Sequence, residues 1–365
     1  MSGHLRYIKG LDALRAFAVI TVIITHWGPT AFHSETLSFL LKLFPNGNFG
    51  VDLFFVLSGF LITRILINSR FENEETDKFQ LIKAFFIRRS LRIFPIYFLL
   101  VLVLWAIGDK PVGDNIWYFL TYTSNLLIIE KGNWYSNLSH TWSLAVEEQF
   151  YLLWPWIIVF VPKKYLLSAI LGFLGLGIVS SLMLYVLCGK LFYILMPPCL
   201  IAFSIGATYA YVEYDRRFEH FLFTTLKILL PICLIGYLLN QFGHGFVLIR
   251  LINSIISICL IIFTIQKKQG FSKVFLENRV FMTIGKISYG IYLYHYLVPK
   301  SYIGAIDYLN NWLSLSERSL RFLKNPPPAY LIELALVFGL SYVSFYYFEQ
   351  QFIRLKTNFR YNKSY

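Results

Sequence analysis

Apolar runs recur along this chain with short polar or basic stretches between them, and each run is about 17 to 25 residues, the length a helix needs to cross a bilayer. The pattern predicts ten spanning helices, at roughly 11–31, 50–67, 93–108, 143–161, 165–187, 193–212, 221–240, 246–266, 282–299 and 329–348. One further stretch, WYFLTYTSNLLII at 117–129, is apolar but short. Counting it as a full crossing would place Pro162-Lys163-Lys164 outside and invert every later loop, so a partial, re-entrant or interface-lying helix is expected there. The expected fold class is all-α: a polytopic integral membrane helical bundle of about ten transmembrane helices plus that partial one. No Gly/Ser linker and no fixed-period repeat interrupts it, so residues 1–365 read as one membrane domain. The first span lacks a small-residue cleavage site after it and is expected to be retained.

Composition agrees. The chain is 57% hydrophobic and 15% charged, whereas soluble domains sit near 25% charged. A net charge of +13 raises the question of nucleic acid. With both termini cytoplasmic, about two thirds of the 33 Lys and Arg fall in inside segments, including a basic tail over 349–365. Topology thus accounts for the basicity, and nucleic acid is not an expected partner. The four cysteines are scattered without CxxC spacing and read as small packing residues.

Charged groups inside membrane helices are costly and usually face a cavity or a partner. In the first span Arg15 and His26 are eleven residues apart, three helical turns and roughly 16 Å, so both project from nearly one face. Snorkelling is the simpler reading for Arg15 alone, and a bonded or interfacial histidine for His26 alone. Together they mark a path from the inner to the outer side. Asp52, at the outer end of the second span, is either a first-turn acid that suits the helix dipole or a carboxylate that orients His26. Ser58 and Gly59 read as close-packing residues. Arg88, Arg89 and Arg92 crowd the start of the third span, where positive-inside bias places basic residues and where guanidinium forks would also suit phosphate. In SLAVEEQFY, residues 143–151, the spacing puts Ser143, Glu147 and Tyr151 on one face, with Glu148 rotated roughly 100° away. Pro155 ends that stripe with a kink. Ser288, Tyr292 and His295 share a face of the ninth span; aromatic-belt positions are the simpler reading for the last two, and a supporting role at the site the other. Glu349 and Arg354 read as interfacial. No HxxxH or HExxH, GxSxG or Walker-type loop occurs, so general-base group transfer leads over metal or phosphoryl chemistry, and no metal is expected.

The segments KGLDALRAFAVITVIITHW, GVDLFFVLSGFLIT, RRSLRIFPIYF, HTWSLAVEEQFYLLWPW, GKISYGIYLYHY and YYFEQQFIRL run from end to end of the chain. Jointly they resemble the acyltransferase 3 family of membrane sugar O-acyltransferases, which includes bacterial O-antigen acetylases. The resemblance implies an acyl donor, usually acetyl-CoA, engaged from the cytoplasm as a co-substrate. It implies transfer to a hydroxyl of a glycan or lipid-linked sugar at the outer side of a bacterial inner membrane. The family's Arg-x10-His pattern falls on Arg15 and His26, its Ser-x3-Glu-x3-Tyr pattern on Ser143, Glu147 and Tyr151, its arginine motif on Arg88, Arg89 and Arg92, and its GVD aspartate on Asp52. The expectation is that the arginines hold the phosphates of CoA and that His26 is general base, oriented by Asp52 or Glu147. An acyl-histidine intermediate is the alternative. Some members carry a C-terminal periplasmic SGNH hydrolase-like domain; ending at Tyr365, this chain is expected to lack it, leaving acceptor delivery to the membrane domain or a partner. The rival readings are a longer or dicarboxylic acyl donor, a small-molecule acceptor, or a proton-coupled transporter, against which no inverted repeat is visible.

Overall fold

A computed structural model describes residues 7–31, 44–71, 77–266, 276–325, 327–359 and 361, and all regular structure among them is helical. Part of the basic tail, residues 360 and 362–365, lies outside this set. Each predicted span falls on a helix: α1 (Gly10–Ala31), α2 (Gly47–Phe71), α3 (Lys78–Ala106), then two short helices, α4 (Ile116–Leu120) and α5 (Ser124–Lys131). Next come α6 (Trp142–Phe160), α7 (Lys163–Cys188), α8 (Met196–Tyr214), α9 (Glu219–Gln241), α10 (Ile249–Gln266), α11 (Arg279–Tyr294), α12 (Leu297–Leu313) and α13 (Pro328–Val343). By length and apolar composition, seven helical segments can cross a membrane: those containing α1, α2, α3, α7, α9 and α10, and the continuous run Pro328–Asn358 that begins with α13. The helices at the other three predicted spans, α6, α8 and α11, fall short by length or polarity and complete the bundle.

The helix α2 is the hub. Most of its residues are buried, and it packs against α1, α6, α8 and α10. Its crossing with α8 is set by glycine: a Cβ on Gly59 would run into the Phe203 carbonyl, and one on Gly206 into the Val56 carbonyl. Backbones approach this closely only where small residues permit it, the usual device for packing helices in lipid. Gly285 does the same for α11 against α1 at the Asp12 carbonyl. By contrast α7 and α9 are peripheral, with Val186, Leu187, Phe221 and Ile232 turned outward. Apolar side chains there face the surface that lipid would cover.

One boundary departs from the sequence pattern. The third span is not preceded by a loop: Asp77 caps α3 by accepting from the Phe79 amide, and no breaker follows before Pro95. Arg88, Arg89 and Arg92 are therefore held within little more than one turn of α3. The short apolar segment at 117–129 forms two short helices where the sequence pattern predicts a single partial helix. Its two helices meet at Tyr122, which adopts φ +53°, and the longer one, of 8 residues, reaches only about 12 Å of a hydrocarbon core about 30 Å thick.

Candidate functional site

Two cavities lie along α1, and the polar residues of the helices divide between them. The first, of about 100 Å3, is lined by Arg15, Ser58, Arg89, Arg92, Ser143, Glu147, Tyr151, Ser288, Tyr289 and Tyr292 with apolar neighbours. The second, of about 340 Å3, is lined by Thr25, His26, Asn46, Asn48, Trp134, Ser139, His140, Trp142, Tyr193, Tyr292 and Tyr296. Eleven residues, about three helical turns, separate Arg15 from His26, so the continuous helix α1 carries Arg15 into one cavity and His26 into the other.

In the arginine cavity the stripe Ser143, Glu147 and Tyr151 is on one face, as the spacing predicts. Its surroundings differ from expectation. Ser58 Oγ donates to Glu147 Oε1 at 2.6 Å, and Tyr151 Oη donates to Ser58 Oγ at 3.1 Å. Ser58 is thus a polar partner across the helix crossing, while packing falls to Gly59 alone. The Arg89 guanidinium lies over the Tyr151 ring, 4.5 Å from its centroid, and within electrostatic reach of Glu147 and Glu148. Arg92 is close enough to feel both Arg15 and Arg89. Arg15 Nη1 donates to Asp12 Oδ1 at 2.6 Å, and Tyr7 Oη also donates to Asp12. Arg88 is set apart: its Nη1 donates to the carbonyls of Lys356 at 2.9 Å and Phe359 at 3.0 Å, and its guanidinium lies over Tyr361. The expected trio of arginines is split, two on the cavity and one on the C-terminal segment.

Asp52 does not orient His26. Arg250 Nε donates to one of its carboxylate oxygens at 2.7 Å, and Asn253 Nδ2 to the other at 2.8 Å, all three residues being buried. This pair pins α2 to α10. The partner of His26 is His295: His26 Nδ1 and His295 Nε2 are 2.9 Å apart, and His295 Nδ1 is 2.7 Å from the Tyr292 carbonyl. His295 is fully buried and Tyr292 nearly so, which removes both from the aromatic belt. Trp27 Nε1 donates to the His295 carbonyl at 3.0 Å, fixing the end of α11 beside α1. A third histidine, His140, packs on His295 with ring centroids 4.9 Å apart. It lies in the short turn before α6, and burial, with His26 nearby, pushes its imidazole down to about 3. It is neutral at any physiological pH.

Tyr292 borders both cavities. Its hydroxyl is 2.8 Å from the His140 carbonyl and 2.6 Å from Ser143 Oγ. A carbonyl only accepts, so Tyr292 donates to His140 and Ser143 donates to Tyr292. Glu349 also departs from expectation: it is buried, not interfacial, and accepts from Ser344 Oγ at 3.0 Å, within a π-helical turn over Ser344–Glu349 that follows α13. Sequence reasoning missed Asp12, Tyr289, His140, Arg250 and Asn253 as parts of these networks. Asp12 had a signal in its i, i+3 spacing to Arg15; the others depend on which helices meet. Among the described residues no cluster of His, Cys, Asp and Glu has the arrangement of a metal site.

A family model described as an acyltransferase domain, acyltransferase 3, matches residues 8–346. The O-acetyltransferase OatA of Staphylococcus aureus (strain NCTC 8325 / PS 47) is 28% identical over 379 residues, covering 94% of this chain and 57% of OatA. SACOL0978 of Staphylococcus aureus (strain COL), named as a supposed O-acetyltransferase, is 29% identical over 383 residues, covering 88% of this chain and 57% of its own. The chain therefore spans 57% of the length of these curated relatives. No solved structure matches.

Proposed function

This chain belongs to the acyltransferase 3 family, and from that premise we propose that it is a multi-pass membrane O-acyltransferase of a bacterial inner membrane, with both termini cytoplasmic. Acyl-CoA, most simply acetyl-CoA, delivers its acyl group from the cytoplasmic side to a hydroxyl of an exported or lipid-linked glycan. The observation that carries this reading is the pair of cavities along α1, one lined by three arginines and the other by His26, meeting at Tyr292.

Arg15, Arg89 and Arg92 suit the phosphates of CoA, because each is a permanent cation with forked donors and only Glu147 among the residues lining that cavity is acidic. The pantetheine arm would run beside α1 over the roughly 16 Å from Arg15 to His26. At the second cavity the acceptor hydroxyl gives its proton to His26 as its oxygen attacks the thioester carbon. The C–S bond then breaks, and the proton on His26 passes to the departing thiolate, which leaves as the thiol. Ser143, Tyr151 and Tyr292 shape the passage between the two ends. Replacing His26 by Ala should abolish transfer to glycan while the purified protein still binds acyl-CoA and stays folded. The check is mass spectrometry of surface glycans from cells carrying either version. Acetylated glycan at native levels in the His26→Ala strain would end the proposal.

A further inference from the structure

We infer that His295 is a positioning residue that fixes the tautomer of His26 and leaves His26 Nε2 as the atom with the free lone pair; the catalytic meaning of this rests on the reading of His26 as general base. The Tyr292 carbonyl beside His295 can only accept. A neutral His295 must therefore carry its proton on Nδ1, donate it to that carbonyl at 2.7 Å, and keep a lone pair on Nε2. The 2.9 Å contact between His295 Nε2 and His26 Nδ1 then needs a proton from the other side, so His26 carries its own on Nδ1. Nε2 of His26 is left as an acceptor.

The alternative arrangement would make His295 a cation donating from both nitrogens. His295 has no exposed surface, its ring neighbours are His26, His140, Tyr292 and Tyr296, and none of these is acidic. An imidazolium without a counter-charge there would bear the full desolvation cost of a buried ion, so the neutral chain of bonds wins. Ring geometry agrees. The two rings are tilted by only 20° and their nitrogens are 2.9 Å apart, closer than two stacked faces approach at about 3.5 Å. They therefore meet edge to edge, with donor and lone pair facing. The scaffold behind the pair is equally fixed, since Trp27 holds the His295 carbonyl and the Tyr292 hydroxyl is anchored to the His140 carbonyl.

The consequence differs from a carboxylate-backed histidine. A carboxylate both selects the tautomer and stabilises the imidazolium that forms; a neutral imidazole does the first with little of the second. The proton taken by His26 Nε2 is thus held weakly and is well placed to move on to the thiolate, while the Nδ1 proton stays in its bond to His295.

The test uses full-length protein in detergent or nanodiscs. In His295→Gln the side-chain carbonyl can still accept from His26 Nδ1, whereas His295→Phe fills the space with no acceptor. Phe is expected to lower kcat by at least about 100-fold, the span of a general-base contribution, with acyl-CoA affinity unchanged, and Gln to restore most of it. Histidine 15N spectra of the native protein should show His26 protonated at Nδ1, and that signature should be lost in His295→Phe. The spectra need no substrate, so they separate this inference from the proposed activity. A His26 protonated at Nε2 in the native protein, or His295→Phe within threefold of native turnover (roughly 0.6 kcal/mol), would overturn it, as would a folded His295→Gln no better than Phe.

Discussion

The two cavities differ in charge more than in anything else. The residues lining the first include three arginines and one glutamate; those lining the second include no Asp, Glu, Lys or Arg. Arg15 is paired with Asp12 and Arg89 lies within reach of Glu147 and Glu148, while Arg92 makes no ion pair among the described residues, so the first cavity presents forked cationic donors that suit an anionic ligand. The second holds aromatic rings, amides and neutral histidines, groups that suit an uncharged, hydroxyl-bearing ligand and a base that works unprotonated. The contrast teaches that a donor and an acceptor of opposite polarity are kept apart within one bundle. The boundary between them is shared by Tyr292 and Val51, and of the two Tyr292 carries the polar contacts.

Removing that boundary is the strongest way to break the comparison. In Tyr292→Ala the latch to Ser143 and His140 is lost and the cavities merge. Transfer to glycan is expected to fall about 100-fold, the cost of a loosely held reacting group, while hydrolysis of acyl-CoA by water rises. Thiol release measured with and without acceptor checks this. Native transfer with no added hydrolysis would mean that the ring does not separate the two ends.

A smaller effect separates two carboxylates that look alike in sequence. Asp52 is spent on Arg250 and Asn253, so Asp52→Ala leaves a buried arginine unpaired and should cost about 3–5 kcal/mol of stability. Glu147 touches Ser58 and faces the arginine cavity, so Glu147→Gln keeps the fold and lowers turnover. Thermal unfolding and turnover measured on both variants give the sign. A fully stable Asp52→Ala with lost turnover would return Asp52 to the chemistry.

These cases show what sequence patterning can and cannot carry. Helices, their order and the partial segment follow from run length and charge, which are local. The stripe Ser143, Glu147 and Tyr151 follows from helical spacing, also local. What faces each stripe depends on which helices pack together, and nothing local encodes that. Asp52 and His26 lie on neighbouring antiparallel helices yet meet different partners, because α10 brings Arg250 to the first and the end of α11 brings His295 to the second. The triplet Glu147-Glu148-Gln149 makes the same point within three residues. Glu147 accepts from Ser58 on α2, Glu148 lies within electrostatic reach of Arg89, and Gln149 donates to the Tyr122 carbonyl, holding the broken segment to α6.

The smallest predicted effect tests whether position on a helix face, rather than membership of a cluster, decides which arginine binds the donor. Arg88 and Arg89 are adjacent in sequence and equally basic, but about 100° apart around α3. Arg89 points into the cavity; Arg88 holds the carbonyls of Lys356 and Phe359. A charge-assisted bond to phosphate contributes about 1.5–3 kcal/mol, so Arg89→Gln should weaken acyl-CoA binding more than tenfold. Arg88→Gln removes two bonds to the C-terminal segment and none to the cavity, so binding should change by about twofold at most, with increased protease sensitivity after α13 as its own signature. Calorimetric titration of CoA into both variants makes the comparison. Equal losses would mean that the C-terminal segment, released from Arg88, had been holding the donor site together. The division of labour along α3 would then be a coupling between two sites rather than a separation of them.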